Sequence, residues 1–92
     1  MIKSFKHNGL ELFFKTGNKK GIVPGHAKRI ARILDRLDAA TDPIDMNLPG
    51  YKLHQLVGKE LGTWSVWVNG NWRITFQFKN EDVYVVDYRD YH

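Results

Sequence analysis

The chain has 92 residues, a formal net charge of +4 and no cysteine, which excludes disulfide bonds, catalytic thiolates and zinc sites built on thiolates. Its hydrophobic content of 42%, with 13% aromatic residues, excludes a disordered chain, and its length predicts a single domain over residues 1–92. Because the first residues are too polar for a signal peptide and no apolar run is long enough to span a membrane, we expect a cytoplasmic protein that does not contact membranes.

The chain begins with a predicted strand and a short helix. Residues 2–6 (IKSFK) form the candidate strand. Asn8 is placed to cap the helix and Gly17 is placed to end it. The helix turns three apolar side chains inward, namely Leu10, Phe13 and Phe14. His7 precedes it in a polar segment, so we expect this histidine at the surface.

The segment from Gly25 to Ala40 is the clearest predicted helix. Apolar residues at helical spacing mark its buried stripe, which comprises Ala27, Ile30, Ala31, Leu34 and Leu37. The opposite side is basic and carries Lys28, Arg29, Arg32 and Arg36. Such a face is either an ordinary solvated surface or a track for a phosphate backbone, so Lys28, Arg32 and Arg36 are candidate RNA contacts. His26 lies in a polar segment before this helix and is expected at the surface.

In the second half of the chain, the apolar residues no longer recur at helical spacing but alternate with polar ones. Residues 41–50 read as a loop, and residues 51–56 (YKLHQL) predict a strand. A turn at GKELG and three further strands follow. In the segment 72–78 apolar and polar residues alternate, which indicates one apolar and one polar face. Two helices followed by an antiparallel sheet predict an α+β fold, with the helices against the apolar face.

The turn at residues 69–71 decides which side chains of the next two strands share a face. A two-residue Asn-Gly loop is the commoner hairpin and would pair Trp67 with Trp72. A three-residue loop with a left-handed residue instead places Val66 on the apolar face and Trp67 beside Arg73. Because a slip of one residue flips every side chain, burial favours the second register. The polar face then carries an arginine and a tryptophan.

Four stretches of the sequence are similar to HigB toxins of bacterial type II toxin–antitoxin systems, in the RelE/ParE-like superfamily. They are MIKSFKHNGLELFF at the start, YKLH at 51–54, GNWRITFQF at 70–78 and the closing DYH. The similarity covers essentially the whole chain, and the second helix is its least distinctive part. It implies a RelE-like fold in which two N-terminal helices pack on one face of a twisted, mainly antiparallel sheet.

The resemblance also implies a function. It points to a ribosome-dependent endoribonuclease that cuts messenger RNA during translation, without a cofactor. The implied partners are the ribosome with its translated messenger RNA and a helix-turn-helix antitoxin of the HigA type. Operator DNA would be contacted only through the complex with the antitoxin.

Metal-independent RNA cleavage needs a base near the 2′-hydroxyl, an acid near the leaving 5′-oxygen and cations for the phosphorane charge. Histidine serves both proton-transfer roles because its ordinary pKa of ~6.5 lies near working pH. The residues that match the functional positions of the HigB pattern are His54, Asp90, Tyr91 and His92, with Arg73 as a candidate phosphate-binding residue. No spacing typical of metal ligands occurs, so we expect no metal site.

The resemblance suggests one role for each of these residues. His92, or alternatively Asp90, transfers the proton, and His54 assists it. Tyr91 positions the substrate, while Arg73 stabilises the developing charge. We expect the last strand to anchor Asp90 to His92 against the polar face, beside Arg73 and His54.

The chain departs from the HigB pattern at two positions. HigB sequences tend to read LHPLKG where residues 53–58 read LHQLVG, so Val57 replaces a lysine. Lys59 or Lys52 are the candidate substitutes for its charge. Trp67 stands where a small or polar residue is commoner, and it either stacks on an RNA base, covers the sheet edge or meets the antitoxin.

Two other functions stay open at the level of sequence. One is a gyrase-targeting toxin of the ParE type, which needs no acid–base groups and is therefore disfavoured by the terminal Asp-Tyr-His. The other is a catalytically weak module that binds the antitoxin and acts in operator regulation, which the missing lysine favours.

Overall fold

The computed structural model describes residues 1–91 and shows two α-helices followed by a four-stranded antiparallel sheet. The helices are α1 (Asn8–Thr16) and α2 (Ala27–Ala39). The strands are β1 (His54–Gln55), β2 (Thr63–Asn69), β3 (Trp72–Lys79) and β4 (Asp82–Asp90), in the spatial order β1-β2-β3-β4. The prediction of an α+β fold is confirmed. Within this described range, no helix is long and apolar enough to cross a membrane.

The N-terminal segment covers the free edge of β4. The amide of Lys3 donates to the carbonyl of Val83 at 2.7 Å, and that of Lys6 donates to Val86 at 2.8 Å. The predicted strand over 2–6 consists of two isolated parallel bridges rather than a regular strand. It still provides hydrogen-bond partners for an edge that would otherwise stay open.

The cap of α1 differs from the prediction. His7 is the N-cap, and its Nδ1 accepts the Leu10 N–H at 2.9 Å. The assignment of the cap to Asn8 is wrong, because the imidazole one residue earlier already reaches the third amide of the helix. His7 is half-buried rather than fully exposed. Gly17 ends the helix in the left-handed conformation, with φ of 79°, as predicted.

Helix α2 supplies most of the helical part of the core. A 3₁₀ turn (Pro24–His26) leads into it, and together they match the helix predicted from Gly25 to Ala40. The sequence stripe omitted Ile33, which is fully buried, and included Ala31, which is half-buried. The core joins the helices to one set of alternating strand residues, and its fully buried members include Leu10, Ile30, Leu34, Leu37, Val66, Ile74, Phe76 and Val86.

The register of β2 against β3 is the one favoured by burial. Trp67 lies opposite Arg73, and Val66 lies opposite Ile74. The turn itself is tighter than predicted, because Asn69 pairs with Trp72 and the register shifts between residues 67 and 69. A β-bulge at this point lets a two-residue turn coexist with the register that buries Val66.

Strand β1 is shorter than predicted. The sequence indicated residues 51–56, but only His54–Gln55 are in the sheet. Gly50 and Lys52 both adopt left-handed conformations, with φ of 82° and 50°, which interrupt an extended chain. The Tyr51 carbonyl nevertheless accepts the Trp67 N–H at 2.7 Å, so the segment stays alongside β2.

Candidate functional site

The polar face of the sheet is organised in two rows that cross the strands. The first row runs from β1 to β4 through His54, Ser65, Thr75 and Asp87. The second row runs from β2 to β4 through Trp67, Arg73 and Arg89. Residues two apart on a strand share a face, so these seven side chains belong to one surface. His54 and Asp87 stand at opposite ends of the first row, about 14 Å apart at the strand spacing of ~4.8 Å.

His54 is exposed on β1, and one ring nitrogen has a partner. Its Nδ1 lies 3.2 Å from the carbonyl oxygen of Lys52. A carbonyl oxygen only accepts, so this bond requires the proton on Nδ1. In the neutral ring Nε2 is then the basic atom, which makes His54 suited to receive a proton from a substrate.

Arg73 is half-buried at the centre of the second row. Its Nη1 donates to the carbonyl oxygens of Gly70 at 3.3 Å and Trp72 at 3.2 Å. No carboxylate in residues 1–91 forms a salt bridge with it. The guanidinium therefore keeps a net charge that a phosphate can use.

Arg89 faces Arg73 across the β3–β4 pair but has a different environment. Its Nε donates to Asp87 Oδ2 at 3.0 Å, and its Nη1 donates to Glu60 Oε1 at 2.5 Å. Burial works to lower the pKa of Arg89, but the hydrogen bond to Glu60 and the neighbouring Tyr91 and Asp87 outweigh it, so the pKa is raised. Sequence reasoning missed this residue. The alternation of Asp87 and Arg89 along β4 was a signal that the two share a face.

The end of the chain is held in place as far as Tyr91. The Tyr91 N–H donates to the Asn71 carbonyl at 2.9 Å, so the backbone pairing continues beyond β4. The Tyr91 hydroxyl accepts from Arg89 Nη1 at 3.1 Å, which puts the phenol on the polar face. His92 lies outside the described residues.

Asp90 lies on the other side of the strand. It pairs with Trp72, so the alternation of β4 assigns it to the face of Tyr88 and not to that of Arg89. Burial raises the pKa of Tyr88, and the charge of Asp90 raises it further. The hydrogen bond from the Val23 amide lowers the pKa but does not cancel these two effects. The expectation that Asp90 stands beside Arg73 is wrong, because neighbouring residues of a strand point to opposite faces.

A second cluster, which we call the aromatic cluster, comprises His26, Trp72 and Tyr88. The Nδ1 of His26 lies 2.6 Å from the Tyr88 hydroxyl, and the Tyr88 ring stacks on Trp72 with centroids 4.4 Å apart. The expectation of a surface position for His26 is wrong, since only 6% of the residue is exposed. The turn Pro24–His26 carries the ring inward, where the phenol provides the polar partner that a buried imidazole needs.

The comparisons with known proteins agree with the sequence resemblance. A family model described as the RelE-like toxin of the type II toxin-antitoxin system HigB matches residues 3–92. The chain belongs to the HigB family. The protein named Endoribonuclease HigB from Proteus vulgaris is 49% identical over 92 residues, which are 100% of both chains. Toxin HigB-1 from Vibrio cholerae serotype O1 is 31% identical over 80 residues, which are 85% of this chain and 84% of that one.

Trp67, one of the two departures from the HigB pattern, is held by surrounding groups. Its indole N–H donates to the Gly70 carbonyl at 2.9 Å. The Lys52 ammonium lies 4.6 Å from the ring centroid, and the Arg29 guanidinium carbon lies 5.2 Å from it. Cations over an aromatic ring are stabilised by its quadrupole, so the indole is a fixed platform beside Arg73.

The other departure from the HigB pattern lies in the segment between β1 and β2. Val57, where HigB sequences tend to have lysine, is 82% exposed. Lys59 follows it in a 3₁₀ turn (Gly58–Glu60) and is also exposed. The loop thus offers a cation to solvent, although two residues later than the HigB pattern.

The basic residues of α2 do not all behave alike. Lys28, Arg32 and Arg36 are exposed. Arg29 instead donates to the Gly50 carbonyl at 2.7 Å and to Trp67 O at 3.2 Å, which ties α2 to the sheet. Arg32 and Arg36 line a cleft of about 320 Å³ together with Asp35, Ala39 and Tyr51.

Proposed function

We propose that this toxin is an endoribonuclease that cuts messenger RNA on translating ribosomes in the cytoplasm. The full-length relative named Endoribonuclease HigB, at 49% identity, supports the reaction class. The observation that carries the proposal is the polar face itself. It combines an exposed histidine whose Nε2 is basic with an arginine that has no carboxylate partner in the described chain.

The proposed reaction is an intramolecular transesterification. The 2′-oxygen forms a bond to the adjacent phosphorus, the bond to the 5′-oxygen breaks, and the products are a 2′,3′-cyclic phosphate and a 5′-hydroxyl. A base takes the proton of the 2′-hydroxyl, and an acid gives one to the 5′-oxygen. His92 fills one of these roles with the assistance of His54, whereas Asp90, on the face of Tyr88, lies on the opposite side of β4 from Arg73.

Charge and position are the remaining requirements. Arg73 lies between the two edge strands and binds the phosphorane oxygens with its guanidinium fork. Tyr91 orients the scissile nucleotide. The Trp67 platform stacks on a base once the base displaces Lys52, and Lys59 and Lys52 bind neighbouring phosphates.

The partners follow from the family and from the charge. A type II toxin is neutralised by an antitoxin, and we propose one with a helix-turn-helix domain of the HigA type, through which operator DNA is reached. The exposed Lys28, Arg32 and Arg36 lie on α2 and provide contacts to the ribosomal RNA backbone. No structural feature of the described chain favours gyrase as the target.

The exposed Val57 favours one alternative, a weak nuclease whose main task is to bind the antitoxin. The deciding experiment is expression without antitoxin, with mapping of messenger RNA ends when translation is on and when it is blocked. Cuts confined to translated regions support the proposal. Tight antitoxin binding without growth arrest would support the alternative, and inhibition of DNA supercoiling by the purified protein would support a gyrase-targeting toxin.

The chemical groups at the ends of the RNA fragments provide a second test of the proposed reaction. The 5′ fragment should end in a cyclic phosphate or a 3′-phosphate, and a 2′-deoxy nucleotide at the site should abolish cleavage. Cleavage should also survive EDTA as far as the ribosome tolerates it. A 3′-hydroxyl on the 5′ fragment would refute attack by the 2′-oxygen.

A further inference from the structure

Arg89 uses its guanidinium to bind the protein rather than to face solvent. It contacts Asp87 on its own strand, Glu60 in the turn before β2 and the hydroxyl of Tyr91. Only 23% of its side chain is exposed. A guanidinium has five N–H donors in a fixed fork, so it can hold three such partners in one plane.

The contact with Glu60 crosses the sheet. Glu60 belongs to the connection between β1 and β2, whereas Arg89 belongs to β4, and β3 lies between β2 and β4. The connection must therefore reach over the polar face to meet Arg89. Ser65 and Thr75 are fully buried at the centre of that face, which is consistent with a cover above them.

The two arginines of the second row have complementary environments. Like charges directly opposite each other on paired strands are destabilising. Asp87 and Glu60 neutralise Arg89, which allows Arg73 to stand beside it and keep its own charge for another partner. Arg89 is therefore poorly placed to bind phosphate and well placed to organise the groups that surround Arg73.

We propose that Arg89 is the positioning residue of the cleavage site. It fixes the Tyr91 hydroxyl relative to Arg73 and fastens the connection between β1 and β2 over the polar face through Glu60. This inference rests on the proposed function, because Tyr91 is the group through which it reaches the substrate.

The kinetic test is a double-mutant cycle on translating ribosomes with purified protein. Arg89→Gln should lower the maximal single-turnover rate about 10- to 100-fold and leave the half-saturating concentration of the protein unchanged. A loss of this size is expected from a displacement near 1 Å at a reacting site. Tyr91→Phe should cause a loss of similar size. The double variant should be no slower than Tyr91→Phe alone, because Arg89 acts through that hydroxyl.

Two variants serve as matched comparisons. Lys59→Gln removes a neighbouring exposed cation outside the network and should not change the coupling between positions 89 and 91. Arg89→Lys should recover only part of the rate, since an ammonium lacks the planar fork that reaches Glu60, Asp87 and Tyr91 together. Additive losses in the double variant, or an Arg89→Gln effect confined to the half-saturating concentration, would overturn the positioning role.

A second measurement on the free protein separates this inference from the proposed function. With ¹³C-labelled tyrosine, the ring signals of Tyr91 should shift and broaden in Arg89→Gln and in Glu60→Gln, but not in Lys59→Gln. Unchanged Tyr91 signals in Arg89→Gln would overturn the inference even if the wild type cleaves RNA normally. If the wild type cuts no messenger RNA while the Tyr91 signals respond, the proposed function is overturned. The contact between Arg89 and Tyr91 would then exist without the catalytic role assigned to it.

Discussion

The two faces of the sheet are lined by similar residues in opposite settings. On the polar face, His54 is exposed, and Tyr91 is held by Arg89 and by the backbone of Asn71. On the other face, His26 and Tyr88 are buried and bonded to each other at 2.6 Å. A buried histidine bonded to a buried phenol contributes to stability, whereas one with a free basic nitrogen in water is available for chemistry.

The arginines repeat this lesson within a single face. Arg73 and Arg89 are directly opposite each other, yet the two carboxylates contact only Arg89. The difference between neighbouring residues of the same type thus arises from the partners that the fold brings to each. The predictions below remove members of these pairs, together with His92 at the end of the chain, and ask whether activity or stability changes.

The largest effect is expected from the proton-transfer groups. His92→Gln and His54→Gln should each lower cleavage on translating ribosomes by about 10²- to 10⁴-fold, the usual contribution of one positioned acid or base. For His54→Gln the melting temperature should stay near that of the wild type, because the exposed ring leaves no cavity. Full toxicity of a chain truncated after Asp90 would remove Tyr91 and His92 from the site.

Arg73→Ala should have the next largest effect, a loss of about 10²- to 10³-fold in cleavage. This is comparable to the removal of one group that stabilises transition-state charge. Arg73→Lys should restore only part of the rate, because a phosphate contact with two parallel bonds needs the guanidinium. Thermal melts are the control. An unfolded Arg73→Ala protein would mean that this side chain supports the fold rather than the reaction.

A substitution in the aromatic cluster should lower stability and leave activity unchanged, the reverse of the two predictions above. His26→Ala should lower the free energy of unfolding by about 1–3 kcal/mol, because the buried Tyr88 hydroxyl loses the 2.6 Å bond to the imidazole and keeps the longer one from the Val23 N–H, at 3.4 Å. Cleavage per folded molecule should be unchanged. Urea unfolding with His54→Gln as the matched exposed histidine makes the comparison direct, and equal stability of the two variants would contradict the assignment of His26 to the core.

The smallest effect concerns alkaline pH. The pKa of Tyr88 is raised above its ordinary value of 10.0, chiefly by burial. The unfolded chain therefore ionises this phenol first, so its contribution to stability is complete below pH 10 and is lost as the pH rises toward the folded pKa. The loss is at most about 1.4 kcal/mol per pH unit.

Urea unfolding at pH 8 and pH 11 measures this loss, with Tyr88→Phe as the reference. The free energy of unfolding should fall more steeply with pH in the wild type than in the variant. Equal slopes would show that Tyr88 ionises as readily in the folded protein as in the unfolded chain.

The sequence by itself determined the helices, the α+β class and the strand register. Each rests on a local pattern: helical spacing from Ala27 to Leu37, alternation from Trp72 to Phe78, and the requirement that Val66 be buried. The family was also readable from short motifs, including the GNWRITFQF strand. These features can be predicted from the sequence because the spacing of apolar residues in a segment indicates which of its sides is buried.

Only the tertiary structure decided which polar residues meet. Glu60 and Arg89 are 29 positions apart, and nothing in either segment indicates the other. His26 and Tyr88 are 62 apart, and an imidazole in a polar segment reads as exposed until a phenol is brought to it. Asp90 and Tyr91 are adjacent in sequence, but the pairing of β4 sends them to opposite faces. The cost of burying a polar group depends on the partner it finds, and that partner is set by the closing of the fold rather than by the neighbours along the chain.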